Sequence, residues 1–137
     1  MAPYLVDEEQ GPNLATLHRN EPTKYADVMP SDQADQLAQM MQSVVDNGTG
    51  TAAQIPGIKV AGKTGTADNG PQRADGSYVM PPHAWFSGFA PVGNARIAVA
   101  VIIENGGVAG NETTGGLAAA PVAQAVMKAY LASIGVK

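Results

Sequence analysis

The chain has 137 residues, enough for one domain with a sizeable hydrophobic core. Its net charge of −4, with eight scattered Lys and Arg residues, argues against a nucleic-acid-binding protein. The absence of cysteine excludes disulfides and thiolate chemistry, and the two histidines, His18 and His83, lack metal-ligand spacing, so no metal or other cofactor is expected.

The first part of the chain predicts one short strand and one helix. Tyr4 to Val6 is strand-like, and a polar tract rich in proline, asparagine and acidic residues follows it. A helix is predicted near 31–47, because Ser31 is a favourable N-cap and apolar residues recur at helical spacing until Asn47-Gly48. The small residues that follow predict a linker.

The rest of the chain predicts an antiparallel sheet and a C-terminal helix. The four-residue turn from Pro91 to Asn94 makes the strands on either side of it antiparallel. The second of these strands is apolar on both faces, so it is predicted to be internal to its sheet. Turn residues predict a loop over residues 68–82. The expected fold is α+β, with three main strands near 58–67, 84–90 and 95–104 and helices near 31–47 and 117–133.

Two motifs with incompatible chemistry overlap in the first of these strands. Gly57 to Thr64 satisfies the phosphate-binding pattern G-x-x-x-x-G-K-[ST]. A phosphate-binding loop follows a buried strand and precedes a helix, but Pro56 interrupts such a strand, and Gly65 to Gly70 is unsuited to begin a helix. We therefore interpret the phosphate-binding match as a coincidence.

The second motif is K-T-G-T, Lys63 to Thr66, and its chemistry suits a strand. An extended peptide or a β-lactam can pair with the edge of a strand, and glycine at position 65 keeps side-chain bulk away from that ligand. The hydroxyls of Thr64 and Thr66 are positioned for a carboxylate, and Lys63 adds a positive charge. A main-chain amide aimed at the oxyanion of an acyl-transfer intermediate contributes about 3–4 kcal/mol.

The surrounding sequence resembles the penicillin-binding protein transpeptidases. Their K-T-G is followed by strands similar to Pro81–Pro91 and Ala95–Gly106, and their last helix begins with a segment similar to Gly115–Ala123. The usual lead-in to K-T-G is similar to Gly48–Ala53. The resemblance covers residues 30–134 and is greatest to the actinobacterial penicillin-binding protein A group, class B enzymes of peptidoglycan cross-linking.

This resemblance implies a partial β-lactamase/transpeptidase-like fold and a role for each motif residue. Lys63, Thr64, Gly65 and Thr66 would line the acylation cleft, with Lys63 orienting a serine and Thr66 supplying an oxyanion amide. The implied ligands of the parent protein are peptidoglycan stem peptides and β-lactams. The parent is expected to be anchored in the bacterial cytoplasmic membrane with its catalytic domain outside the cytoplasm. The longest apolar run here, Ile97 to Ile103, is too short to span a bilayer.

The family's other two signatures are absent from the sequence. No serine begins S-x-x-K, the nucleophile motif, and none begins S-x-N. Since both signatures precede K-T-G in the family, residues 1–137 are expected to be a single partial domain, the C-terminal portion of a transpeptidase domain, inactive alone. A fragment of a serine β-lactamase or of a β-lactam sensor domain remains an alternative.

Two further expectations concern the sheet and its aromatic residues. In the family, the strand near 95–104 pairs with an N-terminal strand that this chain lacks. The isolated chain is therefore expected to form edge-paired or strand-exchanged homodimers, or to need the missing part of its domain. His83 is interpreted as a loop residue before its strand, and Trp85, Phe86 and Phe89 as core residues.

Overall fold

The computed structural model describes residues 2–136, which divide into two compact units. The first unit ends at Gln33, and the second begins at Ala34. The prediction that these residues form a single partial domain concerns the complete protein and stays a prediction.

The first unit contains a two-stranded antiparallel hairpin. Its strands are β1, Glu8–Gln10, and β2, Thr16–Arg19. The predicted strand from Tyr4 to Val6 is wrong, because the strands form next to the turn that begins at Gly11, where the Gly11 amide donates to the Ala15 oxygen at 2.8 Å. The hairpin is held by such local hydrogen bonds, and its side chains are largely exposed.

Helix α1, Ser31–Asn47, agrees with the predicted bounds. Gly48 ends it, with its amide bonded to the Val44 oxygen at 3.0 Å. Within the described residues only Val45 of this helix is buried, while Leu37 is 41% exposed. The predicted apolar stripe of α1 therefore remains largely uncovered here.

The second unit contains a three-stranded antiparallel sheet in the order β3-β4-β5. The strands are β3, Ala61–Gln72, β4, Tyr78–Ala90, and β5, Ile97–Ile103. The predicted loop over 68–82 is wrong, because both strands continue into a long hairpin whose turn lies at Arg73–Ser77. The turn residues Asn69 and Gly70 fall at shifts in the register of β3 instead of ending it.

Strand β5 lies at an edge of this sheet, so the prediction that it is internal is wrong for the described residues. Its side chains alternate. Val99 and Val101 pack against the core, whereas Ala98 and Ala100 are exposed. The exposed face carries Ala98, Ala100 and Ile102, all of them apolar, so the sequence pattern did not distinguish it from a buried face.

The core lies between the sheet and helix α2, Ala120–Ser133. One π-helical turn, Gly115–Ala119, precedes α2, and Pro121 lies in the first turn of α2, where its missing N–H is tolerated. Beyond the helix, Gly135 has a φ of 77° and ends it. The core includes Ala84, Phe86, Ala90, Ala123, Met127 and Leu131. Of the three aromatic residues predicted there, Phe86 is buried, Phe89 is half-buried, and Trp85 is 42% exposed on the opposite face.

Candidate active site

The K-T-G-T residues lie in the first half of β3, which forms one of the two free edges of the sheet within residues 2–136. Lys63 to Thr66 are paired with β4 on one side only, opposite residues 84–87. Strand β3 continues from Ala61 to Gln72, through the position where a phosphate-binding loop would begin its helix. The phosphate-binding interpretation is therefore excluded, and the strand required by the K-T-G interpretation is present.

The main-chain groups of Thr64 and Thr66 point to this free edge. In an antiparallel ladder, pairs that exchange hydrogen bonds alternate with pairs whose N–H and C=O groups point away. A Cβ placed on Gly115 marks where these groups meet. It would lie 2.8 Å from the Gly65 nitrogen, 2.6 Å from the Gly65 oxygen and 2.2 Å from the Trp85 oxygen. Gly65 and Trp85 therefore face each other, and the residues on either side of Gly65 face outward.

The side chains of the motif divide between the two faces of the sheet. Thr64 and Thr66 share the face that carries Phe86, while Lys63 and Gly65 lie on the other. Thr66 is exposed, and Thr64 is half-buried with its Oγ1 2.6 Å from the Thr49 Oγ1. The exposed Lys63 donates from Nζ to the Thr64 carbonyl oxygen at 2.6 Å. The Thr66 hydroxyl is therefore exposed, whereas the Thr64 hydroxyl and the Lys63 ammonium each have a hydrogen-bond partner within the chain.

Two glycines allow the turn before α2 to pack closely, Gly115 on the main chain of β3 and β4 and Gly116 on Thr49. A Cβ on Gly115 would overlap the main chain of Gly65 and Trp85, and a Cβ on Gly116 would lie 2.2 Å from the Thr49 oxygen. The Thr114 Oγ1 accepts from the Leu117 amide at 3.2 Å and caps the turn. The Gly-Gly pair therefore allows the beginning of α2 to lie close to the main chain of β3.

Two grooves lie near the ends of β3. One, of about 620 Å³, is lined by the end of α1, residues 54–60 and Gln124, away from the motif. The other, of about 500 Å³, lies beyond Thr66 and is lined by residues that include Asp68, Tyr78 and Asn111. The motif itself lies on an open strand edge. Among residues 2–136, no group of three or more His, Asp or Glu side chains has the arrangement of a metal site.

Sequence reasoning missed several residues that shape this site. Thr49 was noted only in the lead-in segment, yet its hydroxyl contacts Thr64. Gly115 and Gly116 were predicted only as the beginning of a helix, because the contacts of Gly115 with Gly65 and of Gly116 with Thr49 are long-range and have no local sequence pattern. His83 lies inside β4, so its interpretation as a loop residue is wrong.

Comparison with known proteins identifies the family. The family model for the penicillin-binding protein transpeptidase domain matches residues 1–128. The chain belongs to the penicillin-binding protein transpeptidase family. The resemblance inferred from K-T-G-T and the strands around it is therefore confirmed.

Individual relatives agree with this assignment. The chain is 37% identical over 131 residues to the peptidoglycan D,D-transpeptidase PbpA of Mycolicibacterium smegmatis, covering 96% of this chain and 26% of that protein. It is 34% identical over 137 residues to stage V sporulation protein D of Bacillus subtilis, covering 98% of this chain and 20% of that protein. The chain thus spans about a quarter or less of the length of these transpeptidase-family relatives.

The solved structures support the same fold. A ceftriaxone acyl-enzyme complex of penicillin-binding protein A from Mycobacterium tuberculosis matches with a TM-score of 0.82 at 36% identity, covering 94% of this chain and 28% of that one. The D,D-transpeptidase domain from Eggerthella lenta matches with a TM-score of 0.76 at 36% identity, covering 98% and 28%. The α+β fold with an antiparallel sheet is confirmed. Within residues 2–136, none of the helices combines the length and the apolar character that a membrane-spanning helix requires.

Proposed function

We propose that the complete protein is a class B peptidoglycan D,D-transpeptidase and that this chain supplies the K-T-G-T side of its active site. The observation that supports this most strongly is the placement of K-T-G-T on an edge strand, with the main-chain groups of Thr64 and Thr66 directed away from β4 and the Thr66 side chain exposed. A serine outside this sequence would attack the penultimate D-alanine carbonyl of a stem peptide and release D-alanine. The acyl group would then pass to an amine of a neighbouring stem peptide.

Each residue of the motif has a distinct role in this proposal. The main-chain N–H of Thr66 binds the oxyanion of the tetrahedral intermediate, where charge develops in the transition state. The hydroxyls of Thr64 and Thr66 bind the carboxylate of the stem peptide or of a β-lactam. Lys63 orients a serine of the second signature, and Gly65 leaves room for the acyl donor along the strand.

The same assignment proposes the partners and the location of the complete protein. It would bind peptidoglycan stem peptides and β-lactams along the edge of β3, and a strand from the remainder of its transpeptidase domain would pair with the edge of β5. It would be held at the cytoplasmic membrane with its catalytic domain outside the cytoplasm. Its products would serve cell-wall synthesis during growth or division.

A chain of residues 1–137 alone is expected to form no covalent penicillin adduct. None of its serines begins S-x-x-K, so no lysine is placed to activate a serine as in the family. Intact-mass spectrometry after incubation with penicillin G measures this directly. A stoichiometric adduct on the isolated chain would contradict the assignment of the nucleophile to another part of the protein.

The proposed function is tested by labelling the complete protein with a fluorescent penicillin. We expect the wild-type protein to be labelled, and Lys63→Gln to be labelled about 100-fold more slowly, because a lost electrostatic contact in an acyl-transfer site has this magnitude. The matched control is Lys59→Gln, since Lys59 is also an exposed lysine but precedes the motif. An unlabelled wild-type protein, or equal rates for the two variants, would refute the proposal.

A further inference from the structure

Three hydrogen-bonded residues join β3, β4 and the segment after β5 beyond the K-T-G-T residues. Asn69 of β3 donates from Nδ2 to the Asn105 Oδ1 at 2.6 Å. The main-chain N–H of Asn105, just after β5, donates to Nδ1 of His83 in β4 at 3.0 Å. Asn69 and His83 are half-buried. This Asn69–Asn105–His83 cluster is outside the motif, and the roles proposed above do not use it.

The cluster fixes the point where the chain leaves the sheet. Strand β5 ends at Ile103, opposite Ala84, one residue from His83. Asn105 then has a φ of 51°, in the left-handed region that residues with a side chain adopt rarely. Gly106 follows with a φ of 72° and is buried, and a Cβ there would lie 2.9 Å from the Pro81 Cβ. The reversal is therefore packed tightly against β4.

We call residues 104–115 the connecting segment. This segment contacts β3 or β4 near its first residue and again at its last. At the first end, Asn105 bonds to Asn69, three residues beyond Thr66. At the second end, Gly115 packs on the main chain of Gly65 and Trp85, one residue before Thr66. The two anchoring points lie on either side of Thr66 along β3. A displacement of the connecting segment would thus shift the part of the strand that carries the proposed oxyanion amide.

The hydrogen bond from Asn105 specifies the state of the imidazole. An amide N–H needs an acceptor, so Nδ1 of His83 carries no proton, and the proton of the neutral ring is on Nε2. Asparagine places a side-chain oxygen at a distance from the backbone similar to Nδ1, whereas glutamine places it near the position of Nε2. His83→Asn therefore keeps a hydrogen-bond acceptor at the position of Nδ1, whereas His83→Gln moves the acceptor away from it.

We propose that His83 is a positioning residue for acyl transfer: by holding the Asn105 amide, it fixes the connecting segment and, through it, the strand around Thr66. This inference rests on the proposed function of the K-T-G-T strand. His83 makes no contact with substrate in this scheme. It acts through the main chain, and its loss misplaces the oxyanion amide relative to the reacting carbonyl.

The test compares His83→Asn and His83→Gln in the complete protein, with His18→Gln as the matched control. His18 is the other histidine, is exposed and lies on β2 of the first unit. Rapid-mixing kinetics with a fluorescent penicillin separate the dissociation constant of the initial complex from the rate constant of acylation. We expect His83→Gln to lower the acylation rate constant about 10- to 100-fold, since small misplacements at a reacting centre have effects of this size. His83→Asn and His18→Gln should stay within about threefold of wild type, and the dissociation constant should change little.

Two outcomes would overturn the role of His83. One is an unchanged acylation rate constant in His83→Gln, and the other is equal loss in His83→Asn and His83→Gln. If the variants fail to fold, nitrogen NMR of the histidine-labelled wild-type protein still decides the matter, because a proton on Nδ1 of His83 would refute the hydrogen bond. Failure of the wild-type protein to react with penicillin would instead contradict the proposed function.

Discussion

At the scale of single residues, four consecutive letters of the sequence predicted the location of the candidate site. K-T-G-T alternates two hydroxyls with one glycine along a strand, and nearby residues such as Pro56 distinguish it from the overlapping phosphate-binding pattern. The contacts of Thr49 with Thr64, and of Gly115 with Gly65, could not be predicted in this way. These contacts join positions far apart in sequence, and no local sequence pattern predicts them.

Thr66 offers a way to separate its hydroxyl from its amide. Thr66→Val keeps the main-chain N–H and removes only the hydroxyl, so we expect weaker initial binding of penicillin with little change in the acylation rate constant. Loss of one hydrogen bond to a charged group predicts an increase in the dissociation constant of about 10-fold or more. Acylation kinetics of the complete protein measure both quantities, and Thr23→Val, at an exposed position, is the control. A large fall in the acylation rate constant alone would contradict the assignment of the hydroxyl to the carboxylate.

Gly115 offers a test of the close packing against the motif. A methyl group there would overlap the Trp85 oxygen and the Gly65 main chain, so Gly115→Ala is expected to destabilise the protein by about 1–3 kcal/mol. Gly11→Ala is the control, because its Cβ would lie 3.4 Å from its nearest neighbour, an ordinary contact. Thermal denaturation of the complete protein compares them. Equal melting temperatures for Gly115→Ala and Gly11→Ala would show that the turn before α2 moves away from β3 without destabilising the protein.

At the scale of elements, the helices were predicted more accurately than the strands. α1 and α2 follow from apolar spacing and from the glycines that end them. The strands β3 and β4 extend well beyond their predicted ends, because the turn residues of 68–82 are accommodated as irregularities within a paired hairpin. Local turn chemistry marks where a chain is able to bend, and the pairing of the strands decides whether it reverses.

At the tip of this hairpin, the stability of the turn is expected to depend on pH through Asp75. The Asp75 carboxylate accepts from the hydroxyl and the amide of Ser77, at 2.6 and 2.9 Å, and these bonds lower the pKa of Asp75 below its ordinary value. Any stability from this turn is therefore fully present above the ordinary aspartate pKa and is lost as the pH falls through the lowered one. We expect Ser77→Ala to raise the pKa of Asp75 in an NMR titration, while Ser43→Ala, on α1, leaves it unchanged. An unaltered pKa in Ser77→Ala would show that the serine side chain does not hold the carboxylate.

At the scale of the whole molecule, the sheet has two free edges within the described residues, along β3 and along β5. The edge of β3 carries the proposed ligand-binding groups, whereas the edge of β5 has no chemical role in the proposal. Sequence reasoning anticipated that β5 would need a partner but placed it inside the sheet. Apolar residues on both faces do not reveal which strands are present to pair with it.

We therefore predict that residues 1–137, produced alone, form edge-paired or strand-exchanged dimers. Ala100→Lys places a charge on the exposed face of β5 and should shift the chain toward monomers. Ala132→Lys, on the exposed surface of α2, should leave the association unchanged. Light scattering coupled to size exclusion measures the mass. A wild-type chain that stays monomeric at high concentration would contradict the prediction.

The most direct test of the central claim is a crystal structure of the complete protein acylated by penicillin G. We expect the carbonyl oxygen of the acyl group to accept a hydrogen bond from the Thr66 main-chain N–H at about 3 Å. We also expect the penicillin carboxylate to contact the hydroxyls of Thr64 and Thr66, with the acylated serine on the side of Lys63. An acyl group bound away from β3, or a β3 edge paired with another strand in the acylated protein, would contradict the proposed site.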